Sequence, residues 1–154
     1  MEGTITADDP RAADVRALLE THLELMNALS PPEEVHALDV AALTHPSVTF
    51  VGYRAGGELL GVGALKDLGD GHGELKSMHT TAAARGRGVG TAIVDHLVGL
   101  ATAGGMTRLS LETGTPEAFA PARALYARRG FAECGPFGDY EPSPWSTFMT
   151  RSLA

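Results

Sequence analysis

The sequence predicts an α/β fold with one mixed, mostly antiparallel sheet of about seven strands and flanking helices. Three observations favour this fold. β-Prone segments separated by glycine-rich turns between residues 48 and 80 are typical of an antiparallel meander. A helical repeat of apolar residues then begins at Val89, and another strand follows at residues 107–113. Since strands joined through a helix lie parallel, the sheet should contain one parallel pair.

Length and composition predict one globular domain, residues 1–154. The chain has 154 residues, close to the prior of about 150 residues per domain. Its formal net charge of −7 argues against nonspecific nucleic-acid binding, which needs a basic face. The single cysteine, Cys134, is expected to be a semi-buried structural thiol. Without a signal segment or a run of about 20 apolar residues, the chain is expected to be cytoplasmic, with neither a membrane nor a nucleic-acid partner.

The N-terminal part is predicted to form a strand, Gly3–Ala7, and two helices. Asp8 or Asp9 would cap the first helix, with Pro10 in its first turn. A second, short helix is predicted over residues 32–43. The apolar stripe of the first helix is Val15, Leu18, Leu19, His22, Met26 and Leu29.

The meander consists of strands at residues 48–53, 59–65 and 74–80. His72 falls in its second turn and is expected to be solvated. A helix over residues 88–103 ends at Gly104-Gly105. The remaining elements are a strand at 107–113, a helix at 117–129, a strand at 131–134, a loop at 136–144 and a closing strand at 145–151.

A glycine turn, Arg85-Gly86-Arg87-Gly88-Val89-Gly90, connects the meander to the helix behind it. Glycine has no Cβ, so main-chain N–H groups can approach a ligand closely and the chain can adopt positive φ. A helix N-terminus offers unpaired N–H groups and about half a positive charge, which favour bound phosphate. Arg85 and Arg87 would add charge-assisted contacts. The turn therefore predicts a bound anion, with a diphosphate as the favoured ligand.

The spacing of this turn excludes two common phosphate-binding motifs. A nucleoside-triphosphate loop needs Gly-Lys followed by Ser or Thr, and that tripeptide is absent. A dinucleotide fingerprint needs Gly-x-Gly-x-x-Gly; counted from Gly86, Thr91 stands in the last position and Gly90 falls one residue early. From the residues alone, a structural turn that binds no ligand stays an alternative.

The turn resembles the signature of the GNAT superfamily of N-acetyltransferases, which is Arg or Gln, two residues, Gly, one residue, then Gly or Ala. Arg85, Gly88 and Gly90 occupy its fixed positions. Residues 124–131, Ala-Leu-Tyr-Ala-Arg-Arg-Gly-Phe, are similar to the family's Leu-Tyr-x-x-x-Gly-Phe segment. The two motifs occur in the family's order, and the resemblance covers residues 48–151.

The resemblance implies the element order β-α-α-β-β-β-α-β-α-β-β, with the fourth and fifth strands parallel and splayed apart. It implies acetyl-coenzyme A as the co-substrate. The glycine turn would hold the pyrophosphate, and the strand edge exposed at the splay would pair with the pantetheine arm and polarise the thioester carbonyl. The coenzyme contacts implied are Met78, His79, Thr80, Arg85, Gly86, Arg87, Gly88, Val89, Gly90 and Thr91.

One position departs from the family pattern. Members often carry Asn seven residues before the tyrosine, and Phe119 stands there. Arg123 is predicted to compensate by reaching a phosphate of the coenzyme. No metal is expected, because the six histidines are scattered without ligand spacing.

Acetyl transfer to an amine involves two proton transfers. The amine must attack in its neutral form, and the thiolate leaving group gains from a proton donor. The resemblance makes Tyr126 the predicted donor, beside the sulfur. Glu74 and Glu112, on the strands before and after the turn, are alternative predicted bases, and the absence of any protein base is a third option.

The acceptor is expected to be a primary amine of a small molecule or amino acid. By resemblance the early helices form part of its site, which would place His22 and His36 near the substrate; packed or solvated histidines are the alternative. Asp139 and Glu141 in the 136–144 loop would attract a cation or serve as turn residues. The chain is compatible with a homodimer. Rival functions are a non-catalytic acyl-CoA sensor module of the same fold and an unrelated phosphate-binding protein.

Overall fold

A computed structural model of the chain describes residues 3–29 and 40–153. Only the end of the second predicted helix lies within them, and His36 lies outside. No described helix is long and apolar enough to cross a membrane. The helices are α1 (Ala13–Leu29), α2 (Val40–Leu43), α3 (Val89–Ala103) and α4 (Ala120–Arg128). The strands are β1 (Thr4–Ala7), β2 (Val48–Ala55), β3 (Glu58–Gly69), β4 (His72–Thr80), β5 (Arg108–Gly114), β6 (Ala132–Cys134) and β7 (Ser146–Ser152).

These strands form one seven-stranded sheet in the order β1-β2-β3-β4-β5-β7-β6. Every neighbouring pair is antiparallel except β4 and β5. Those two strands are joined through α3, and a strand–helix–strand unit returns the chain in its original direction. The structure therefore confirms the predicted α/β fold with a mixed, mostly antiparallel sheet.

β4 and β5 separate part of the way along β4. Their pairing matches His72–Leu75 with Arg108–Leu111 and ends there. Ser77 has a φ of 59°, and the register of β4 against β3 shifts nearby, which marks a β-bulge. Beyond the bulge β4 pairs with β3 alone among the described strands. The predicted splay is therefore present, and the β4 edge that faces β5 is left open up to Thr80.

α3 and α1 pack on opposite faces of the sheet. On β3, Val62 belongs to the smaller apolar core beneath α1 and α2, whereas its neighbours Gly61 and Gly63 face α3. A Cβ on Gly61 would lie 2.8 Å from Val89 Cγ1, and one on Gly63 would lie 2.6 Å from Ile93 Cγ2. These glycines let α3 approach the sheet closely, which fixes the position of the helix N-terminus behind the glycine turn.

The first helix begins later than the capping pattern predicts. α1 starts at Ala13, so the predicted cap at Asp8 or Asp9 is wrong. Asp8 instead pairs with Arg54 on β2, at 2.9 Å from its Nε. Asp9 accepts a hydrogen bond from the main-chain N–H of Arg11. Asp8 therefore forms a long-range ion pair instead of the helix cap that the local sequence pattern predicts.

The strands of the meander are longer than predicted, because its turns contract to Gly56-Gly57 and Asp70-Gly71. All four turn residues have positive φ, as tight hairpins require. His72 consequently lies within β4, where its Nε2 is 2.7 Å from Ser110 Oγ. The prediction that His72 is solvated is therefore wrong.

Two C-terminal predictions also need correction. The predicted helix at 117–129 is divided into a 3₁₀ turn, Glu117–Phe119, and α4, because Pro121 lacks the N–H that a continuous helix would use. Cys134, expected to be semi-buried, is exposed on the edge strand β6.

Candidate active site

The glycine turn has the geometry of an anion site. Gly86 and Gly88 have φ values of 78° and 80°, in the left-handed region that disfavours other residues. Gly88 is the N-cap of α3, so the first N–H groups of that helix point out of its end. A Cβ on either glycine would meet nothing within 4 Å. Glycine is therefore required because of its positive φ and its exposed N–H group, and not because a side chain would collide with neighbouring atoms.

A cleft of about 780 Å³ runs from this turn along the open edge of β4, between α4 and α1. A concave site of this size is typical of small-molecule binding. Most residues predicted to contact the coenzyme line it, as does the predicted acid: Met78, His79, Thr80, Arg85, Gly86, Gly88, Val89, Gly90, Thr91 and Tyr126. Four other predicted site residues are not in its wall: Arg87, Arg123, Glu74 and Glu112.

The charge of the cleft suits an anionic ligand. Arg85 and Arg128 belong to its wall, and none of the described lining residues is acidic. Arg87 is exposed on the turn, outside that wall. The bare helix end, the cations and the open strand edge together fit the diphosphate and the amide-bearing arm of an acyl-coenzyme A. In residues 3–29 and 40–153, no group of three His, Cys, Asp or Glu side chains is arranged to hold a metal ion.

Arg123 does not take the predicted position at a phosphate. Its Nη1 donates hydrogen bonds to the main-chain carbonyls of Gly114 at 2.6 Å and Pro116 at 3.1 Å. These contacts hold the connection between β5 and α4, and the side chain lies outside the cleft wall. Arg128, five residues further along α4, is the α4 cation that lines the cleft. Phe119, at the position where relatives often carry Asn, also lines it.

Tyr126 lies on α4 with only 6% of its surface exposed. Its ring packs edge-on against Phe131, with centroids 6.0 Å apart. Burial raises the pKa of its phenol well above the usual value of 10. The group therefore stays protonated through the neutral range, in the state that a proton donor requires.

The two predicted bases lie in a polar cluster on β4 and β5 instead of in the cleft. Glu74 is only 4% exposed; its carboxylate accepts a 2.6 Å hydrogen bond from the Tyr140 hydroxyl and lies 3.6 Å from Lys76 Nζ. Glu112 accepts a 2.7 Å hydrogen bond from Ser146 Oγ. Burial and the neighbouring Glu74 raise the pKa of Tyr140. Both carboxylates are thus engaged by neighbouring side chains.

The structure brings two histidines together that the sequence did not pair. His22 of α1 and His79 of β4 have their Nδ1 atoms 3.1 Å apart and their ring centroids 4.7 Å apart. Both rings line the cleft. Burial lowers the pKa of His22 to about 4, and burial, His22 and Arg85 together lower that of His79 to about 4. Two neutral imidazoles therefore line the cleft at pH 7.

The sequence is similar to bacterial proteins along nearly its full length. Residues 15–131 match the model of the Acetyltransferase (GNAT) family. YsnE of Bacillus subtilis strain 168, an uncharacterized N-acetyltransferase, is 45% identical over 149 residues, which cover 97% of this chain and 99% of that protein. YedL of Escherichia coli K12, likewise described, is 46% identical over 150 residues, 97% and 94% of the two chains. A protein of Azospirillum brasilense named IAA acetyltransferase is 37% identical over 151 residues, 97% of each chain.

Solved structures share the fold. A Klebsiella pneumoniae protein, described provisionally as an acyl-CoA N-acyltransferase, superposes with a TM-score of 0.81 at 29% identity over 99% of this chain and 98% of that one. A Bacillus subtilis acetyltransferase solved in complex with CoA superposes with a TM-score of 0.73 at 16% identity over 99% and 100% of the two chains, which shows a shared fold. With the glycine turn at the start of α3 and the match over residues 15–131, the chain belongs to the acetyltransferase (GNAT) family.

Proposed function

We propose that the protein transfers the acetyl group of acetyl-coenzyme A to a primary amine of a small molecule or amino acid, by direct attack while both substrates are bound. One observation carries the proposal: the same cleft joins a helix N-terminus suited to anions with a strand edge that pairs with no other strand among the described residues. An extended ligand with a diphosphate and amide groups matches both features. Bound there, acetyl-coenzyme A supplies an activated acetyl thioester.

The main chain of the cleft would do most of the binding. The N–H groups at the start of α3 and the Arg85 guanidinium stabilise the diphosphate. The open edge between Met78 and Thr80 pairs with the amides of the pantetheine arm. A main-chain N–H on that edge stabilises the negative charge that develops on the carbonyl oxygen during attack.

Tyr126 is the proposed donor of a proton to the departing sulfur. It lines the cleft, and its raised pKa keeps the phenol protonated. The two predicted bases, Glu74 and Glu112, do not line the described cleft, so they would act on the amine only through water or another side chain. Other groups that line the cleft are therefore better placed to accept the proton of the amine.

The acceptor end of the cleft is formed by α1 and the bulged part of β4. Its described lining there is mainly apolar and imidazole: His22, Leu25, Val62, Met78 and His79. A compact amine fits this setting better than a charged peptide. One relative is named for IAA, so that compound belongs among the molecules tested, together with amino acids, arylamines and aliphatic amines.

The test is an acetylation screen with that panel, in which products are detected by mass and thiol release is followed. We expect one class of small amine to gain a single acetyl group in a reaction that requires acetyl-coenzyme A. Binding of the coenzyme without transfer to any amine would favour the alternative, a non-catalytic acyl-CoA sensor of the same fold. Failure of acetyl-coenzyme A to bind would contradict both functions.

A further inference from the structure

The imidazole pair, His22 and His79, is the feature of the cleft that the proposed function does not yet use. The two rings belong to elements far apart in the sequence, α1 and β4, and meet through their Nδ1 atoms at 3.1 Å. Neither Nε2 atom has a hydrogen-bond partner within the described residues. Among the described residues, the side-chain polar atoms that are fully buried and lack a hydrogen-bond partner are Ser77 Oγ and Arg129 Nε. The Nε2 atoms of His22 and His79 also lack a partner but are not in this group, so both are accessible to solvent.

This contact restricts the tautomers of the pair. A hydrogen bond between two Nδ1 atoms needs a proton on one and a lone pair on the other. In a neutral ring the proton is on only one nitrogen, so the donor ring has a bare Nε2 and the acceptor ring carries its proton on Nε2. The neutral pair therefore presents one proton-accepting nitrogen and one N–H at its two outer ends.

We propose that His22 and His79 form a two-ring proton relay that removes the proton of the attacking amine. As the amine nitrogen bonds to the acetyl carbon, its N–H proton passes to His79 Nε2. The His79 Nδ1 proton crosses to His22 Nδ1, and the His22 Nε2 proton leaves to solvent. His79 is assigned the first position because its strand, β4, provides the open edge of the cleft.

The reaction balances. The bond between carbon and sulfur breaks, and the departing sulfur takes one proton from Tyr126, which recovers a proton from solvent. One amine and one acetyl thioester become one amide and one thiol. The two rings end neutral with their tautomers exchanged, and they reset by exchanging ring protons with water.

Because the buried rings are weakly basic, they are better suited to passing a proton on than to holding it as a single general base would. A pKa of about 4 for both rings makes either imidazolium costly at neutral pH. In a relay each ring gives up a proton as it gains one, so no charge has to persist. Arg85, Arg128 and Tyr126 are the other ionisable groups in the described wall of the cleft. The two arginines add positive charge, which further disfavours a stored proton.

The relay is tested first on the protein without substrates. Nitrogen-15 NMR of the imidazole side chains distinguishes the two tautomers and the cation. We expect His79 to be protonated at Nδ1 and His22 at Nε2, with both rings neutral from about pH 5.5 upwards. The same tautomer on both rings, or an imidazolium at neutral pH, would overturn the relay whatever the activity.

Kinetics provide the second test, which rests on the proposed function. His22→Gln and His79→Gln keep a polar side chain of similar reach but cannot pass a proton through a ring. Each is expected to lower kcat about a hundredfold, the range of general acid–base catalysis. The calorimetric affinity for coenzyme A should not change. Because the rings act as one unit, the double variant should lose little more than either single variant.

His96→Gln on α3 is the matched control, since His96 lies outside the cleft wall; its kcat and the NMR signals of the pair should be unchanged. A single variant of the pair with wild-type kcat, or losses that add fully in the double variant, would refute the relay while acetyl transfer itself stood. Absence of turnover with every amine would instead reject the proposed function, and the relay with it.

Discussion

Tyr126 combines burial with a place in the wall of the cleft, and this gives its proposed role a specific test. Tyr126→Phe keeps the ring packed against Phe131 and removes only the hydroxyl. We expect kcat to fall about tenfold to a hundredfold, because the thiolate would leave without a donor. The affinity for acetyl-coenzyme A, measured by calorimetry, should not change.

The pH profile extends this test of Tyr126. Because burial raises the pKa of the phenol, the donor stays protonated as the pH rises, and wild-type kcat should show no alkaline decline below about pH 9.5. Wild-type kcat in Tyr126→Phe over the whole profile would remove the residue from the mechanism.

His22 also links the cleft to stability. Its pKa in the folded protein is lowered from 6.5 to about 4, so between these values the unfolded chain binds a proton that the folded chain does not. This part of the stability is complete above pH 6.5 and is lost as the pH falls towards 4. One pKa unit corresponds to about 1.4 kcal/mol, so the loss is on the order of 3 kcal/mol.

Urea unfolding at a series of pH values between about 4.5 and 7.5 measures this loss. His22→Leu should make the acid decline shallower, with the part due to His79 remaining, and His45→Asn, a change at an exposed histidine, should not. Equal slopes in wild type and His22→Leu would show that the buried ring is protonated in the folded state.

At the level of elements, the junction between the glycine turn and α3 should tolerate no side chain at Gly88. With φ at 80°, a β-branched residue is strained there, and its side chain would cover the N–H groups that face the cleft. Gly88→Val is expected to weaken acetyl-coenzyme A binding at least tenfold in calorimetry, while the circular dichroism spectrum stays native.

Gly99→Ala is the control for this change. Gly99 lies in the same helix, and a Cβ on it would meet nothing within 4 Å. The substitution should leave binding unchanged and stabilise the helix by about 1 kcal/mol. Equal coenzyme affinity in Gly88→Val and wild type would exclude the turn from the site.

Arg54 ties the N-terminal segment to β2. It lies 2.9 Å from an Asp8 carboxylate that is only 10% exposed, and 2.6 Å from Asp14 on α1. Arg54→Met would leave the Asp8 charge largely buried and unpaired, so we expect a loss of about 1–3 kcal/mol in unfolding free energy. Arg11→Met, which breaks an exposed pair with Asp9, should leave the unfolding free energy nearly unchanged, because solvent screens such a pair. Equal losses in the two variants would show that Arg54 has no special role.

For the molecule as a whole, the features that can be predicted are those that depend on the local sequence pattern. The glycine turn follows from the spacing of Arg85, Gly88 and Gly90, and the parallel pairing of β4 and β5 follows from the helix between them. Strand ends were less predictable, because the contraction of a turn such as Asp70-Gly71 is decided by pairing across the hairpin.

The acceptor side of the site depends on tertiary packing, which one sequence does not display. His22 fits the apolar stripe of α1 and His79 fits a strand, but their contact arises only when α1 packs across β4. Arg123 looks like a free cation in the sequence, yet the carbonyls of Gly114 and Pro116 engage its Nη1. A histidine within an apolar stripe was the one available signal of the imidazole pair.

We expect the bare main chain at the start of α3 to bind the diphosphate of an acyl-coenzyme A. Calorimetric titration of the wild-type protein and Gly88→Val with acetyl-coenzyme A, ATP and NAD measures this binding. The titration should show one saturable site for acetyl-coenzyme A in the wild type, a loss of at least about tenfold in affinity in the variant, and no binding of ATP or NAD. Equal affinity in both proteins, or binding of ATP in place of acetyl-coenzyme A, would exclude the start of α3 as the diphosphate site.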